Sequence, residues 1–282
     1  MKICLTGSSG LLGGAVLSAC AEREWGCEAL GRDLVDFRHP MGVQESLWGY
    51  DVLIHAAANT NVEVCEVQPD ECYADNTLLT EVLAAAAKKC GVRFVYISST
   101  GVYGENKVEP YNEYDQIWPT THHHRSKQLG EKAALNTGDS LVIRTGWLFG
   151  GAPENKKNFV ARIIEEAKKS NGVIYSNSEQ RGNPTYVNDI ASCLLQLIGD
   201  NQHGIFNCVN EGFASRMEYV EKILEYSKLD VKVLASPASS FNRLAKVSHN
   251  ETAINLKMRQ CGYGVMPRWE YSLDRYISDN LR

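Results

Sequence analysis

Gly7, Gly10 and Gly13, inside the run KICLTGSSGLLG that starts at Lys2, are spaced to hold a pyrophosphate. The first glycine permits a tight turn. The second lets the backbone approach phosphate oxygens, and the third lets a helix pack close to the preceding strand. A helix opening there offers free N–H groups and the positive end of its dipole to the phosphates. The motif carries this meaning only between a strand and a helix. Here the apolar run Ile3-Cys4-Leu5 precedes it, and the apolar-periodic stretch Leu11 to Cys20 follows. Two other groups of reactive side chains say less. His122, His123 and His124 are consecutive. Consecutive helical residues point about 100° apart, so they do not converge on one ion, and no metal site is expected. The nine cysteines include no C-x-x-C pair, and their odd count argues against a disulfide framework. Cys4, Cys90 and Cys208 lie in or beside apolar runs and read as buried, reduced thiols.

The elements that would carry the turn alternate. Strand-like segments are Lys2–Thr6, Cys27–Gly31, Asp51–His55, Arg93–Ser98 and Leu141–Arg144, with helical patterns between them at Asn76–Cys90 and Ser126–Leu135. This rhythm predicts βαβ units and a parallel sheet. DVLIHAAA and RFVYISS are apolar enough to be covered on both faces. After Arg144 the pattern becomes α+β. It has helices at Phe159–Lys169 and Val187–Ile198, a strand at Ile205–Val209, and a terminal helix at Trp269–Leu281. A capping box, Ser215 with Glu218, opens a further helix to Tyr226. The fold class expected is α/β: a Rossmann-type, doubly wound parallel sheet with a smaller α+β C-terminal substrate lobe. Residues 1–145 and about 185–210 form the first part, and 146–184 with 211–282 the second.

At 282 residues, 44% hydrophobic and 22% charged, the chain is sized and composed for a globular protein with a large core. A net charge of −5 gives no sign of a nucleic-acid or anionic-membrane partner. No apolar run approaches a membrane span. The strand signal at Lys2 leaves no room for a leader, so a cytoplasmic location is expected. At the tip of the second strand Arg32 precedes Asp33. An arginine there meets the 2′-phosphate of NADP, and an acidic residue the ribose diol of NAD. NADP is favoured, and NAD remains open.

At this point the chain resembles the extended short-chain dehydrogenase/reductases, and among them the dTDP-4-dehydrorhamnose reductase family. The resemblance rests on TGSSGLLG, on Leu30 to Asp36, on DVLIHAAANT (Asp51–Thr60), and on Ala74-Asp75-Asn76. It continues through YISS with Val102-Tyr103-Gly104, LVIRTGWLFG (Leu141–Gly150) and PTYVNDIA (Pro184–Ala191). It implies reduction of a nucleotide-linked 4-keto sugar by hydride from NADPH. It assigns Gly7, Ser9, Gly10, Leu11, Leu12, Gly13, Arg32, Ala56, Ala57, Ala58, Asn76 and Lys127 to the cofactor. Thr60, Thr100, Trp147 and Arg181 fall to the substrate, with Arg243 and Lys246 as further candidates for its diphosphate. A nucleotide-sugar partner follows, and a homodimer is left open.

Carbonyl reduction needs a donor on the oxygen and an acid for the developing alkoxide. The resemblance makes Ser99 the donor and Lys127 the residue on the nicotinamide ribose, although Lys127 is also spaced to pair with Glu131 at i,i+4. The family's acid, a tyrosine four residues before the lysine, is His123 here. Three readings stay open. His123 is the acid; or Tyr103, Tyr111 or Tyr114 replaces it; or reductase activity is lost, as in the regulatory subunit of methionine adenosyltransferase, which resembles the same reductases. An epimerase or dehydratase is a fourth, although those relatives usually keep the tyrosine. The family's C-terminal Arg-Pro pair is also missing, since Ser248 to Ile254 stand there. The mode of holding the sugar is therefore expected to differ.

Overall fold

A computed structural model describes residues 1–31, 36–37, 39–241 and 243–281. Arg32, on which the choice between NADP and NAD turned, lies outside the described residues, as does Asp33. The first half runs β1 (Lys2–Thr6), α1 (Leu11–Glu22), β2 (Gly26–Ala29), α2 (Pro40–Ser46), β3 (Val52–His55), α3 (Val62–Val67), α4 (Pro69–Tyr73), α5 (Leu79–Cys90), β4 (Arg93–Ser99), α6 (His122–Leu135) and β5 (Leu141–Thr145). The second half runs β6 (Trp147–Phe149), α7 (Phe159–Lys169), β7 (Val173–Asn177), β8 (Arg181–Gly182), β9 (Pro184–Tyr186), α8 (Val187–Gly199), β10 (Gly204–Cys208), β11 (Ala214–Ser215), α9 (Arg216–Tyr226), β12 (Lys232–Ser236), α10 (Leu256–Gln260) and α11 (Trp269–Asn280).

Six strands form one parallel sheet in the order β10-β5-β4-β3-β1-β2. Their side chains alternate between two apolar cores. Ile3 and Leu5 join α1 and α8 on one face, while Cys4 and Leu53 join α2 and α5 on the other. Burial on both faces explains the near-continuous apolar runs in these strands. From β1 the chain goes to β2 on one side and then to β3 on the other. Such a reversal opens a crevice at the carboxyl ends of the strands, where ligands of this architecture bind. The small strands and helices of the second half pack on the same core as α1 and α8, with Phe149, Tyr186, Tyr219, Trp269 and Tyr276 at the junction.

Two helices begin differently from the sequence expectation, and both bear on the crevice. The helix expected from Asn76 is α-helical only from Leu79, and Ala74–Leu78 form a wider π turn. The Asn76 side chain and the Thr77 hydroxyl are held there by α6, through Ser126. The helix expected from Ser126 starts one turn earlier, at His122. Thr121 is its N-cap, with its hydroxyl accepting from the His124 N–H at 3.2 Å. The histidine run has no apolar period to reveal that turn.

Candidate functional site

β1 ends in a turn closed by the Gly10 N–H donating to the Gly7 carbonyl at 3.0 Å. Gly7 has φ +74°, and a Cβ there would lie 2.6 Å from the Ala57 nitrogen, so only glycine fits. Gly10 caps α1 without a side-chain bond, and the first N–H groups of the helix have no partner within it. Above this turn lies a cavity of about 590 Å³. Of the residues expected to hold cofactor or substrate, Gly7, Ser9, Gly10, Leu11, Leu12, Gly13, Ala56, Ala57, Ala58, Thr60, Ser99, His123 and Lys127 line it. Asn59, Asp75, Ile97, Thr145, Leu148 and Lys157 line it as well and were not foreseen. Lys157 belongs to a loop before α7 with no motif to mark it. Asn59 had a signal, because it directly follows Ala56–Ala58.

Six expected ligand residues among the described ones do not line the cavity: Asn76, Thr100, Trp147, Arg181, Arg243, which is exposed with its Nε 4.0 Å from Glu63, and Lys246. Asn76 is buried behind the cavity, where its amide group accepts from the Asn59 N–H at 2.7 Å and donates to the Asn59 carbonyl at 3.0 Å. It therefore holds the loop that faces the cofactor space. Thr100 is buried in the short turn after β4. Trp147 is also buried: its Nε1 donates to Glu251 at 2.7 Å and its ring carries the Arg216 guanidinium 3.4 Å from the ring centre. The Arg181 guanidinium lies over Phe213. Arg216, the first residue of α9, is a cation that sequence reading passed over. Burial pushes it down to about 10, against the opposing pull of Glu251, and Arg243 and Arg162 add to the depression. Lys246 is exposed.

Ser99 ends β4. Its oxygen accepts from the Gly101 N–H at 3.1 Å, which leaves its own proton to donate elsewhere. Lys127 is buried, and its Nζ lies 4.2 Å from the centre of the Tyr96 ring. The i,i+4 pair with Glu131 does not form. Glu131 is buried and turned to Arg144, which binds it through Nε at 2.9 Å and a terminal nitrogen at 2.7 Å. The Ser98 hydroxyl donates to the same carboxylate at 2.5 Å. Burial lowers the Lys127 ammonium from 10.5 to about 7, with Glu131 and Cys72 opposing that shift.

The three histidines do turn apart. His122 meets the Tyr73 hydroxyl, His123 the Asn59 carbonyl, and His124 the Thr121 hydroxyl. A carbonyl oxygen only accepts, so at 3.0 Å His123 Nδ1 carries the ring proton. In the neutral ring Nε2 is then an acceptor. Burial, His124 and Lys127 together hold His123 well below the ordinary imidazole value. The alternative tyrosines are elsewhere. Tyr103 is buried with its hydroxyl on Asn207, Tyr111 is stacked on Tyr103, and Tyr114 is exposed. Among the described residues, no tyrosine lines the cavity. The expectation of no metal site also meets an unforeseen grouping: Cys65 and Cys72 bring their sulfurs close to His123.

A strand–glycine turn–helix at the switch point of a parallel sheet, with a serine and a buried lysine at its mouth, limits the families to consider. The model of the RmlD substrate binding domain matches residues 1–282. The chain belongs to this family. Its Rossmann-type fold is shared with the dTDP-4-dehydrorhamnose reductase of Bacillus anthracis, solved in complex with NADP, at TM-score 0.93 and 28% identity, covering 99% of this chain and 100% of that one. The spore coat polysaccharide biosynthesis protein SpsK of Bacillus subtilis is 28% identical over 99% of this chain and 97% of its own length. A dTDP-4-dehydrorhamnose reductase of Mycobacterium tuberculosis is 29% identical over 96% and 91%. Among the described residues of this RmlD-type chain, no helix is long and apolar enough to cross a membrane.

Proposed function

We propose that this chain is an NADPH-dependent oxidoreductase that reduces the 4-keto group of a nucleotide-linked sugar. One observation carries the reading: Ser99 and Lys127 open onto the same cavity as the glycine turn, in a chain of the RmlD family. The reductase relatives, one solved with NADP, support the cofactor and the substrate class.

The uncapped start of α1 and the glycine turn suit a pyrophosphate, and Ala56–Ala58 with Thr60 border the rest of the dinucleotide's space. Bound NADPH supplies the hydride. Ser99 donates its free hydroxyl proton to the ketone oxygen and stabilises the charge that develops there. Lys127 holds the cofactor ribose and, when protonated, places a positive charge beside that oxygen. Arg216 and Arg181, in the second lobe, serve the diphosphate of the sugar nucleotide. His123 occupies the position of the family's tyrosine. It protonates the alkoxide only when Nε2 bears a proton, which the bond from Nδ1 to Asn59 opposes in the neutral ring. That same observation favours a second reading, in which the chain binds the dinucleotide without turnover.

The test follows NADPH oxidation with a panel of dTDP- and UDP-linked 4-keto-6-deoxy sugars, beside NADPH binding by fluorescence. Turnover that falls strongly in Lys127→Ala and in His123→Ala supports the reductase with His123 in its mechanism. Full activity in His123→Ala removes His123 from it. Tight NADPH binding with no turnover on any sugar leaves the second reading.

A further inference from the structure

Cys65 on α3, Cys72 on α4 and His123 on the first turn of α6 are all buried, and their ligand atoms lie within 4.8 Å of one another. The cysteines stand seven positions apart, with Pro69 turning the chain between two short helices. We propose that these three side chains form a binding site for a zinc-type divalent ion, and that the ion holds His123 in the tautomer that donates from Nε2.

The donor set suits such an ion. Tetrahedral zinc, with Zn–S about 2.3 Å and Zn–N about 2.0 Å, places its ligand atoms roughly 3.5–3.8 Å apart. Closing from the present spacing takes side-chain shifts of about 1 Å or less. Two thiolates cancel the charge of the ion, so its burial leaves no net charge, the condition a buried cation must meet. The surroundings supply a donor for a sulfur that has lost its proton. The Asn76 amide nitrogen lies 3.5 Å from the Cys72 sulfur and donates to it. Hydrogen bonds of this kind orient and tune metal ligands. His123 and Asn59 both line the cavity, which provides the entry path.

We assign Nδ1 to the thiol side from its contact with the Asn59 carbonyl. This nitrogen and the Cys65 sulfur point at the same oxygen, the Asn59 carbonyl, at 3.0 and 3.9 Å. A metal on Nδ1 displaces that hydrogen bond and leaves the ring proton on Nε2, because the partner of one ring nitrogen decides the state of the other. The balance is simple. Two thiols give up two protons to solvent, and the imidazole stays neutral with its proton moved from Nδ1 to Nε2. The donor role of Nε2 rests on the reductase reading above, whereas the binding site does not.

The experiment uses the purified full chain, reduced and stripped with a chelator, then titrated with Zn²⁺ or Co²⁺ alone. The expected result is one ion per chain, a thiolate-to-cobalt charge-transfer band, and about two protons released per ion. Cys65→Ser, Cys72→Ala and His123→Ala should each weaken binding by more than about tenfold, the lower end of what even outer partners contribute. Retained NADPH binding in the two cysteine variants, and an unchanged far-UV circular dichroism spectrum in all three, show that the variants are folded. No band in the unaltered chain, or a band that survives in the Cys65→Ser/Cys72→Ala double variant, overturns the site. Nitrogen-15 spectra of the zinc-loaded protein should place the His123 proton on Nε2, and a proton still on Nδ1 overturns the switch. None of these readouts needs a sugar or turnover, so the site and the reductase reading fail separately.

Discussion

Replacing Lys127 by methionine should make the protein more stable at neutral pH while abolishing its turnover. Lys127 is 5% exposed, over the Tyr96 ring, and its nearest acid is committed to Arg144. Burial lowers its ammonium from 10.5 to about 7. That gap of about 3.5, at about 1.36 kcal/mol per pH unit, is a cost of about 5 kcal/mol for keeping the folded lysine charged. Methionine fills the same channel and forfeits the cation–π contact, about 1–2 kcal/mol. The net gain is about 3 kcal/mol below pH 7, or about 6 °C in Tm for a chain of this size. The pH dependence carries the sign. Below about 7 both the folded and unfolded wild-type chains hold the lysine proton, and the cost is present in full. Between about 7 and 10.5 the unfolded chain still holds the proton and the folded chain does not, so wild-type stability climbs with pH toward that of the variant. Urea unfolding of the metal-free, cofactor-free proteins from pH 6 to 10 measures this. Taking the difference between the two cancels the other titrating groups. A variant less stable than wild type at pH 6, or a difference that stays flat across the range, would refute the reasoning.

Three further outcomes follow from neighbouring contacts. Glu131→Gln strips the buried Arg144 of its counter-charge and should lower stability by about 3–5 kcal/mol in urea unfolding. A Glu131→Met/Arg144→Met pair should recover much of that loss. Ser99→Ala should cut kcat by about 10²–10³ and leave NADPH affinity unchanged, since the lost group is a donor to the developing oxyanion. Equal loss of cofactor binding would mean that Ser99 only shapes the turn after β4. Arg216→Met should raise KM for the nucleotide sugar more than about tenfold, because a charged hydrogen bond is worth about 1.5–3 kcal/mol. NADPH affinity should not move, and an unchanged KM would take Arg216 out of the substrate site.

The sheet and the glycine turn were legible because each is dictated within a single element. Strands covered on both faces read as apolar runs, and the turn at Gly7 requires a left-handed backbone. Spacing misled where another element competes for the same side chain. Lys127 and Glu131 stand at i,i+4, yet Arg144 arrives from β5 with a fork that matches the carboxylate at two atoms and takes it. Trp147 was expected at the substrate, but Glu251 and Arg216, both distant in sequence, enclose it. The same limit governs the chemistry. The three histidines gave the helix turn that carries His123 to the cavity wall. They gave no proton state, because the state of His123 is set by a carbonyl 64 residues earlier in the chain. That loop is held in turn by Asn76, assigned to the cofactor from its motif and found instead to bridge Asn59, Cys72 and Ser126. A tyrosine at this position would carry its proton on a single oxygen whatever its neighbours did. Histidine has two nitrogens, so in the role proposed for His123 the loop and the thiols behind it, rather than the residue itself, decide which nitrogen donates.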